Sequence, residues 1–309
     1  MSWDKGAGLW GHAAVTGGAI LHGLGRGSAV EEFDDWIGRS VTVTDTLEPA
    51  RSNALDRALG GAGELAAGDA LPLLDHWLYF WDIQPPGALG RDGHPAAGGF
   101  LPPIPLPRRM WAGGRLRFHQ PLLLGAAAIR TSTIQSVRKK VGKSGDLVFV
   151  TLRHEIDGGD GVAISEEQDL VYRGAAGTRP APTASDPVPV FAPDADWTWA
   201  VDPDPVLLFR YSALTMNGHR IHYDRPYAVE EELYPGLVVH GPLQAKLMMR
   251  LAIANHAAPV TGFEFRGQQP AIDGIPLHIC GKRNGADVEL WTRQGESRKM
   301  VATARTQPL

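Results

Sequence analysis

The stretch "GPLQAKLMMRLAIA", residues 241–254, has the apolar spacing of a buried helix. Leu243, Leu247 and Leu251 recur at every fourth position with Met248 beside them, which places these side chains on one face of an α-helix. Strand-like runs follow on the C-terminal side: "PVTGFEFRGQQ", "IPLHICGKRN", "DVELWTRQG" and "RKMVATART". A single amphipathic helix has to bury its stripe against the one sheet available, so this half of the chain is predicted to be an α+β layer.

The N-terminal half has the same order of elements. "SVTVTD" alternates as a strand does, and the helical pattern after it ends at Gly60-Gly61. The apolar face of that pattern contains Leu47, Ala50, Ala54, Leu55, Ala58 and Leu59. The aromatic run "LPLLDHWLYFWDIQ" is interpreted as a strand packed on both sides. Four strand-like runs follow, with "VGKSGD" as a hairpin turn: "GRLRFHQPLL", "AIRTSTIQSVRKK", "DLVFVTLRHEID" and "GVAISEEQDLVYR".

Two segments rich in proline and glycine divide the chain. Residues 174–196 lack periodicity and are predicted to be a linker. We therefore predict an N-terminal extension over 1–28, a first, pocket-forming and non-catalytic domain over 29–173 and a second, catalytic domain over 197–309. Residues 85–107 are predicted to be a long loop, and such a loop in a compact domain is usually functional or mobile.

Composition excludes several classes of function. The net charge of −4 gives no broad attraction to nucleic acid or to anionic membrane, and no run of 18 apolar residues predicts a membrane span. Glycines and a histidine interrupt the first 28 residues, so these are interpreted as a poorly ordered extension or an upstream start rather than a signal peptide. The single cysteine, Cys280, excludes an internal disulfide and suits a reducing compartment. We predict a cytoplasmic protein.

The stretch "SALTMNGHRIHYDRPYA", residues 212–228, concentrates polar side chains. His219 and His222 are spaced as two zinc ligands can be, but a catalytic zinc needs a third ligand and the zincin pattern is absent. Gly218 also opposes a helix through this segment. Ser212 lacks the Gly-x-Ser-x-Gly turn of a nucleophilic serine. Metal and triad are therefore the weaker interpretations, and we predict no metal and no other cofactor.

Acid/base chemistry on a carbonyl compound is the third interpretation. Gly241 and Pro242 follow His240 at the start of the apolar helix, where first-turn backbone N–H groups lack partners in the helix. Together with the helix dipole, these groups can stabilise a developing oxyanion. His240 can move a proton there, or it can simply pack at the helix end. Spacing alone leaves both roles open.

At this point a resemblance to a known family enters. "LLFRYSALTMNGHRIHYDRPYA" followed by "YPGLVVHGPL" resembles the hydratase-type motif of the MaoC-like, (R)-specific enoyl-thioester hydratases and dehydratases. The closer likeness is to the two-domain branch with 3-hydroxyacyl-thioester dehydratase type 2 and the mesaconyl-C4-CoA and itaconyl-CoA hydratases. In the first half, the segments that resemble this branch are "RRMWAGGRLRFHQPLLLG", "GKSGDLVFVTLRHEI" and "EEQDLVYR". The resemblance covers about residues 30–305 and implies a double hotdog fold, in which a curved antiparallel sheet wraps a long helix in each half.

The resemblance assigns roles to residues of the polar stretch. The family pattern is "D-x-N-P-x-H-x-D", and alignment on its histidine places His222 as the catalytic histidine and Asp224 as the trailing aspartate. Asn217 then occupies the acidic position. An amide accepts no proton but can orient water, so the resemblance implies that His222 transfers the proton and Asn217 holds the water. Asn217 can equally be a turn residue before Gly218, and His219 receives no assured role.

Cations elsewhere have weaker assignments. Arg108 and Arg109 resemble family positions near the domain interface, where they can bind the free carboxylate of a dicarboxylic acyl group or form structural ion pairs. The turn cluster of Arg138, Lys139, Lys140 and Lys143 can hold the phosphates of CoA. A solvated turn is the simpler interpretation of that cluster.

The leading hypothesis is a hydro-lyase for a short acyl-CoA, preferably a C4-type dicarboxylic one such as mesaconyl-CoA or itaconyl-CoA. A 3-hydroxyacyl-carrier-protein dehydratase is the alternative within the same reaction class. A non-catalytic thioester-binding module and a thioesterase remain open as well, because fold alone does not determine function. We expect an acyl-CoA or acyl-carrier-protein substrate, and either a monomer or a homodimer.

Overall fold

The computed structural model describes residues 31–142, 145–175 and 194–306. The predicted N-terminal extension, most of the predicted linker, Lys143 and the tip of the "VGKSGD" turn lie outside the described residues. The first described element is a 3₁₀ helix at Glu31–Trp36.

Ten strands and three α-helices make up the described chain. The strands are β1 Ser40–Thr46, β2 Arg108–Phe118, β3 Ala127–Gly142, β4 Gly145–Asp157, β5 Val162–Arg173, β6 Trp197–Val201, β7 Gly262–Gly267, β8 Leu277–Asn284, β9 Asp287–Gln294 and β10 Ser297–Arg305. The helices are α1 Pro49–Ala58, α2 Pro205–Thr215 and α3 Gly241–Asn255. The shorter helical turns are Asp75–Leu78, Pro86–Ala88, Arg220–His222 and Tyr227–Glu231. The predicted α+β class is confirmed.

All ten strands of the described chain form one antiparallel sheet. Its order is β1-β3-β4-β5-β2-β7-β10-β9-β8-β6. Each half therefore contributes five adjacent strands, and the halves join where β2 pairs with β7. Within each half, three consecutive strands, β3-β4-β5 and β8-β9-β10, pair in sequence order.

Helix α3 forms the centre of the C-terminal half. Its residues are buried on more than one face, including Leu243, Met248, Met249 and Ala252 with no exposed surface. One side packs on β8, β9 and β10. On another side, Lys246 forms a buried ion pair with Asp75 of the first half. A helix that is apolar nearly all round must be covered on all sides, and here both halves of the chain cover it.

Three predictions differ from the structure. The expected strand over 71–84 is wrong: the segment contains a 3₁₀ turn at Asp75–Leu78, because Leu74 (φ 72°) and Phe80 (φ 59°) adopt left-handed backbone conformations. The resemblance implies a long helix in each half, but α1, the helix of the first half, has only ten residues and packs chiefly on α2 and that turn. Helix α3 of the second half has fifteen residues. Strand β6 lies directly after the predicted linker, in a segment for which the sequence predicts no strand.

Paired glycines allow the two halves to join. A Cβ on Gly113 would lie 2.5 Å from the Phe265 carbonyl oxygen, and one on Gly114 would lie 2.9 Å from the Phe265 ring. The backbone of β2 therefore approaches β7 more closely than any side chain at position 113 permits.

None of the helices in the described part of the chain has the length and apolar character that a membrane span requires.

Replacement of Gly113 by alanine tests this junction. Because the added methyl group meets backbone rather than a movable side chain, we expect the free energy of unfolding to fall by about 1–3 kcal/mol. Thermal or urea unfolding followed by circular dichroism measures the change. Gly87→Ala is the matched control, since no atom lies within 4 Å of a Cβ at that position. Equal stability of the two variants would contradict a steric requirement at the junction.

Candidate active site

The end of α2 leads directly into the polar stretch. Met216 ends the helix in a left-handed conformation (φ 51°), and the Asn217 N–H donates to the Ser212 carbonyl oxygen at 2.9 Å. The Asn217 side-chain oxygen then accepts from the backbone N–H of His219 at 3.0 Å. A 3₁₀ turn at Arg220–His222 follows. Asn217 therefore has the turn role considered for it, while its side chain also lines the central cavity.

His222 is held in one tautomer. Its ring is buried, and Nδ1 lies 2.7 Å from the Val238 carbonyl oxygen. A carbonyl only accepts, so Nδ1 carries the proton and Nε2 of the neutral ring has a free lone pair. Burial lowers the pKa of His222 to about 4, helped by the charge of His94 and opposed by the bond to Val238. At neutral pH His222 is thus an unprotonated base lining the cavity.

His240 lies behind His222. The two rings stack with centroids 3.7 Å apart, and His240 Nε2 is 2.8 Å from the Ser212 hydroxyl. Burial, followed by the neighbouring His222 and His219, lowers the pKa of His240 well below its usual value. The His240 side chain is fully buried and is not among the residues that line the cavity. This placement favours the packing role over direct contact with a substrate.

The start of α3 faces the cavity. Gly241 is its first residue, with Pro242 in the first turn, and both line the cavity. Backbone N–H groups in the first turn lack acceptors within the helix. The positive end of the helix dipole therefore lies beside the cavity, as the sequence predicted for an oxyanion site.

The histidines continue outward as a column of rings, defined here as His240, His222, His219 and His94. The His219 ring lies 5.4 Å from that of His222 and 4.2 Å from that of His94. Burial lowers the pKa of His219 to about 2, together with the charges of His94 and His222. Crowded, poorly solvated imidazoles cannot readily share positive charge, so the column is neutral at pH 7.

A carboxylate closes the outer end of the column. Asp92 Oδ2 accepts from His94 Nδ1 at 2.9 Å. Burial raises the pKa of Asp92, but the hydrogen bond and the charge of His94 outweigh burial and leave that pKa well below its usual value. Asp92, His94 and His219 also present ligand atoms within 4.8 Å of one another, a grouping that a metal ion can use. This group differs from the His219–His222 pair weighed in the sequence.

The cavity lies between the two halves and has a volume of about 2410 Å³. Its walls combine aromatic side chains of the first half with the polar stretch of the second. Representative lining residues are Trp77, Trp111, Phe149, His219, Val239 and Gln294.

The two predicted arginines both line the cavity but have different partners. Arg108 forms an ion pair with Glu232 and donates to the Glu232 carbonyl oxygen at 3.1 Å, so it is structural. Arg109 lines the cavity and bonds the Tyr172 side chain. Among the described residues, no carboxylate lies within ion-pair distance of Arg109. Arg109 is therefore the arginine that can receive an anionic ligand.

Asp224 lies outside the cavity. Its carboxylate forms an ion pair with Arg220 at 2.7 Å and accepts from the Tyr227 N–H at 3.2 Å. The structure thus places this predicted accessory residue in a turn.

In the cationic turn, Lys139 pairs with Asp146 at 2.9 Å and Lys140 lies over the Phe149 ring at 5.2 Å.

Asp92 and His94 were not selected from the sequence. They lie in the loop 85–107, which was predicted to be functional or mobile on account of its length. The signal was the spacing of a carboxylate and an imidazole, "RDGH", within that loop. The loop's long separation along the chain from His219 concealed their proximity.

Comparison with known proteins adds to this geometry. Residues 74–273 match the model of the family described as hydroxyacyl-thioester dehydratase type 2. A mesaconyl-C(4)-CoA hydratase from Chloroflexus aurantiacus is 49% identical over 256 residues, which cover 82% of this chain and 90% of that protein.

Solved structures show the fold. A MaoC-like dehydratase from Phytophthora capsici superposes with a TM-score of 0.64 at 14% identity, over 90% of this chain and 98% of the other. A Mycobacterium tuberculosis protein whose structure is a double hotdog superposes with a TM-score of 0.51 at 15% identity, over 89% of this chain and 97% of the other. The double hotdog predicted from the sequence is confirmed.

The neutral histidine column predicts how stability depends on pH. The unfolded chain protonates its histidines near pH 6.5, whereas folded His222 protonates only near pH 4. The contribution of these neutral histidines to the free energy of unfolding is therefore fully present above pH 6.5. As pH falls below 6.5, this contribution is lost by about 1.4 kcal/mol per pH unit for each such histidine. We expect His219→Gln to reduce this slope between pH 6.5 and 5, as measured by urea unfolding. His119→Gln, at an exposed histidine, is the control, and equal slopes for both variants would contradict a neutral column.

Proposed function

Because the chain belongs to the hydroxyacyl-thioester dehydratase type 2 family, we propose that it hydrates a short 2-enoyl-CoA reversibly, preferably a C4-type dicarboxylic one such as mesaconyl-CoA or itaconyl-CoA. Membership of this family makes the chain a hydro-lyase. The observation that carries the catalytic assignment is the fixed tautomer of His222, which leaves an unprotonated Nε2 in a wall of the cavity.

His222 is the acid/base group of the proposed reaction. Nε2 removes one proton from a water molecule while the water oxygen bonds C3 of the enoyl group. The π electrons move toward C2 and the thioester carbonyl, and His222 then returns the proton to C2 on the same face. One imidazole can serve both steps because it is first a base and then an acid. The low pKa of His222 supports this assignment, since the base form predominates at neutral pH.

The thioester carbonyl is proposed to lie at the start of α3. Negative charge develops on that oxygen when C3 is attacked, and N–H donors there are most effective in a site that excludes water. The cavity-lining position of Gly241 supports this placement. His240 is proposed to support the His222 ring from behind, because its side chain stacks on His222 and does not line the cavity.

Arg109 is proposed to select a dicarboxylic acyl group. In a 2-enedioyl thioester such as mesaconyl-C4-CoA, the free carboxylate is attached to C3, the carbon that water attacks. Its binding group must therefore lie beside the catalytic histidines. The charge of Arg109 acts on His94 and His219, which supports such a position, and a guanidinium suits a carboxylate through paired hydrogen bonds.

A longer acyl-carrier-protein substrate is the second candidate. The cavity exceeds the space that a short dicarboxylic acyl group needs, because its lining also includes Val41, Phe149 and Leu152 of the first half. Such a volume suits a 3-hydroxyacyl-carrier-protein dehydratase. The turnover of long-chain and short-chain substrates separates the two candidates.

The division of labour between the halves is also proposed. His222, Asn217 and Gly241 come from the predicted catalytic domain, 197–309, while Arg109 comes from the predicted pocket-forming domain, 29–173. The cytoplasmic location and the choice between monomer and homodimer stay predictions from the sequence.

The first prediction of the proposal concerns His222. We expect His222→Ala to lower kcat by about 10²–10⁴-fold, because the proton-transfer group is removed. Loss of enoyl absorbance with mesaconyl-C4-CoA, itaconyl-CoA, crotonyl-CoA and a long-chain 2-enoyl thioester measures the rate. His119→Ala is the control at an exposed histidine. Unchanged kcat in His222→Ala would end the assignment, and release of free CoA without hydration would indicate a thioesterase.

The second prediction concerns Arg109. We expect Arg109→Gln to raise KM for the dicarboxylic substrate by about 10–100-fold, since a charge-assisted pair is lost, and to leave crotonyl-CoA within about threefold. Arg108→Gln is the matched control, because Arg108 already pairs with Glu232; it should lower stability without changing the preference. An equal loss for both substrates in Arg109→Gln would contradict carboxylate recognition.

A further inference from the structure

The proposed reaction needs a second group to hold the attacking water, and position 217 supplies it poorly. A water molecule has two O–H bonds, and His222 can accept only one. The family pattern has a carboxylate where this chain has Asn217. The Asn217 oxygen already accepts from the His219 N–H at 3.0 Å, and an amide is a weaker acceptor than a carboxylate. Asp224 does not replace it, because it pairs with Arg220 outside the cavity.

The long loop of the first half brings another candidate acceptor to the site. His94 lines the cavity, and its ring lies 4.2 Å from that of His219. Its Nδ1 bonds Asp92 at 2.9 Å, and the side chain retains only 21% exposure. With Nδ1–H donated to a carboxylate, Nε2 of the neutral ring is an acceptor. The negative charge of Asp92 strengthens that acceptor, as a carboxylate does for any histidine it orients.

Backbone contacts fix the loop against the polar stretch. Gly93 has a φ of +88°, and a Cβ there would lie 2.0 Å from the Gly218 carbonyl oxygen. The Arg220 N–H donates to the Asp92 carbonyl oxygen at 2.9 Å, and Arg220 Nη1 donates to the Arg91 carbonyl oxygen at 3.1 Å. The position of His94 relative to His219 is therefore set by backbone on both sides.

We infer that His94, oriented by Asp92, is the second acceptor for the attacking water and replaces the carboxylate that the family pattern has at position 217. This inference rests on the proposed hydratase function. One O–H bond of the water breaks, and its proton passes through His222 to C2, as described above. The other O–H bond stays intact, donates to His94 Nε2 and becomes the hydroxyl group on C3 of the product. His94 thus holds the water without changing its own protonation.

The surroundings of His94 favour this role over that of His219. Asp92, Arg109, Tyr172, His219 and His222 are the titratable or charged groups that face this part of the site. Burial and the charge of Arg109 lower the pKa of His94, while Asp92 raises it, and the net shift is downward. The hydrogen bond from Nδ1 to Asp92 leaves Nε2 of His94 as the acceptor. Among the described residues, no carboxylate or carbonyl fixes the tautomer of His219.

Steady-state kinetics of two variants tests the inference. We expect His94→Gln to lower kcat by about 10²-fold or more and Asp92→Asn by about 10–100-fold, with KM within about threefold in both. The two residues act as one unit, so the double variant should be no slower than His94→Gln alone. A merely structural role would instead lower the melting temperature and multiply the two losses.

Restoration of a carboxylate at position 217 provides the sharpest readout. In the His94→Gln background, we expect Asn217→Asp to recover at least about tenfold in kcat, because the carboxylate then holds the water. His119→Gln, at an exposed histidine just after β2, should leave kcat unchanged. Failure of Asn217→Asp to rescue, or wild-type kcat in His94→Gln, would overturn the inference while leaving the hydratase function intact.

Two further outcomes are decisive. One equivalent of zinc that copurifies with the protein, with activity lost on chelation and regained with zinc, would overturn the inference in favour of a metal site at Asp92, His94 and His219. Wild-type protein that hydrates none of the enoyl thioesters would refute the proposed function, and this inference with it.

Discussion

Helix α3 is apolar nearly all round, and the need to cover it organises the rest of the molecule. A sheet covers only one side of a helix, so the C-terminal meander alone would leave Met249 and Lys246 facing water. The first half supplies the missing cover, and the buried pair of Lys246 with Asp75 joins the two at that surface. Desolvated charges are costly unless paired, so Lys246 requires Asp75 to be present. The N-terminus of the same helix thereby reaches the cavity between the halves.

The cover over α3 also determines the chemistry of the histidines. Rings that are buried and 3.7–5.4 Å apart cannot become charged together. Their pKa values therefore fall, and the column is a set of neutral bases at the pH of the cell. Fixed acceptors at two of the lining histidines, the Val238 carbonyl for His222 and the Asp92 carboxylate for His94, then leave Nε2 of each as an acceptor. Burial thus keeps the rings neutral while the two acceptors fix their tautomers, and the proposed hydration depends on both.

The two halves contribute different parts of the same site. The C-terminal half supplies the proposed catalytic histidine and the helix end, whereas the first half supplies the proposed carboxylate-binding Arg109 and, in our inference, the Asp92–His94 pair. Position 217 carries an amide instead of the carboxylate of the family pattern. Our inference therefore requires another element to provide an acceptor for the attacking water. Close backbone contact at Gly93 and Gly218 makes that possible, because it holds a loop against a turn more than a hundred residues away in sequence.

The sequence by itself determined the α+β class, nine of the ten described strands, helices α1 and α3 and the candidate residues His222, Asn217 and Gly241, because periodicity and the family motif are local signals. The prediction of a strand over 71–84 is wrong for a physical reason. Two residues with left-handed backbone conformations, Leu74 and Phe80, interrupt an apolar run that otherwise has the composition of a strand. Only the tertiary structure showed that Arg108 is paired with Glu232 whereas Arg109 is not, that Asp224 lies outside the cavity, and that His94 lies beside His219. Those outcomes depend on contacts between residues far apart in the chain, and no local pattern encodes such contacts.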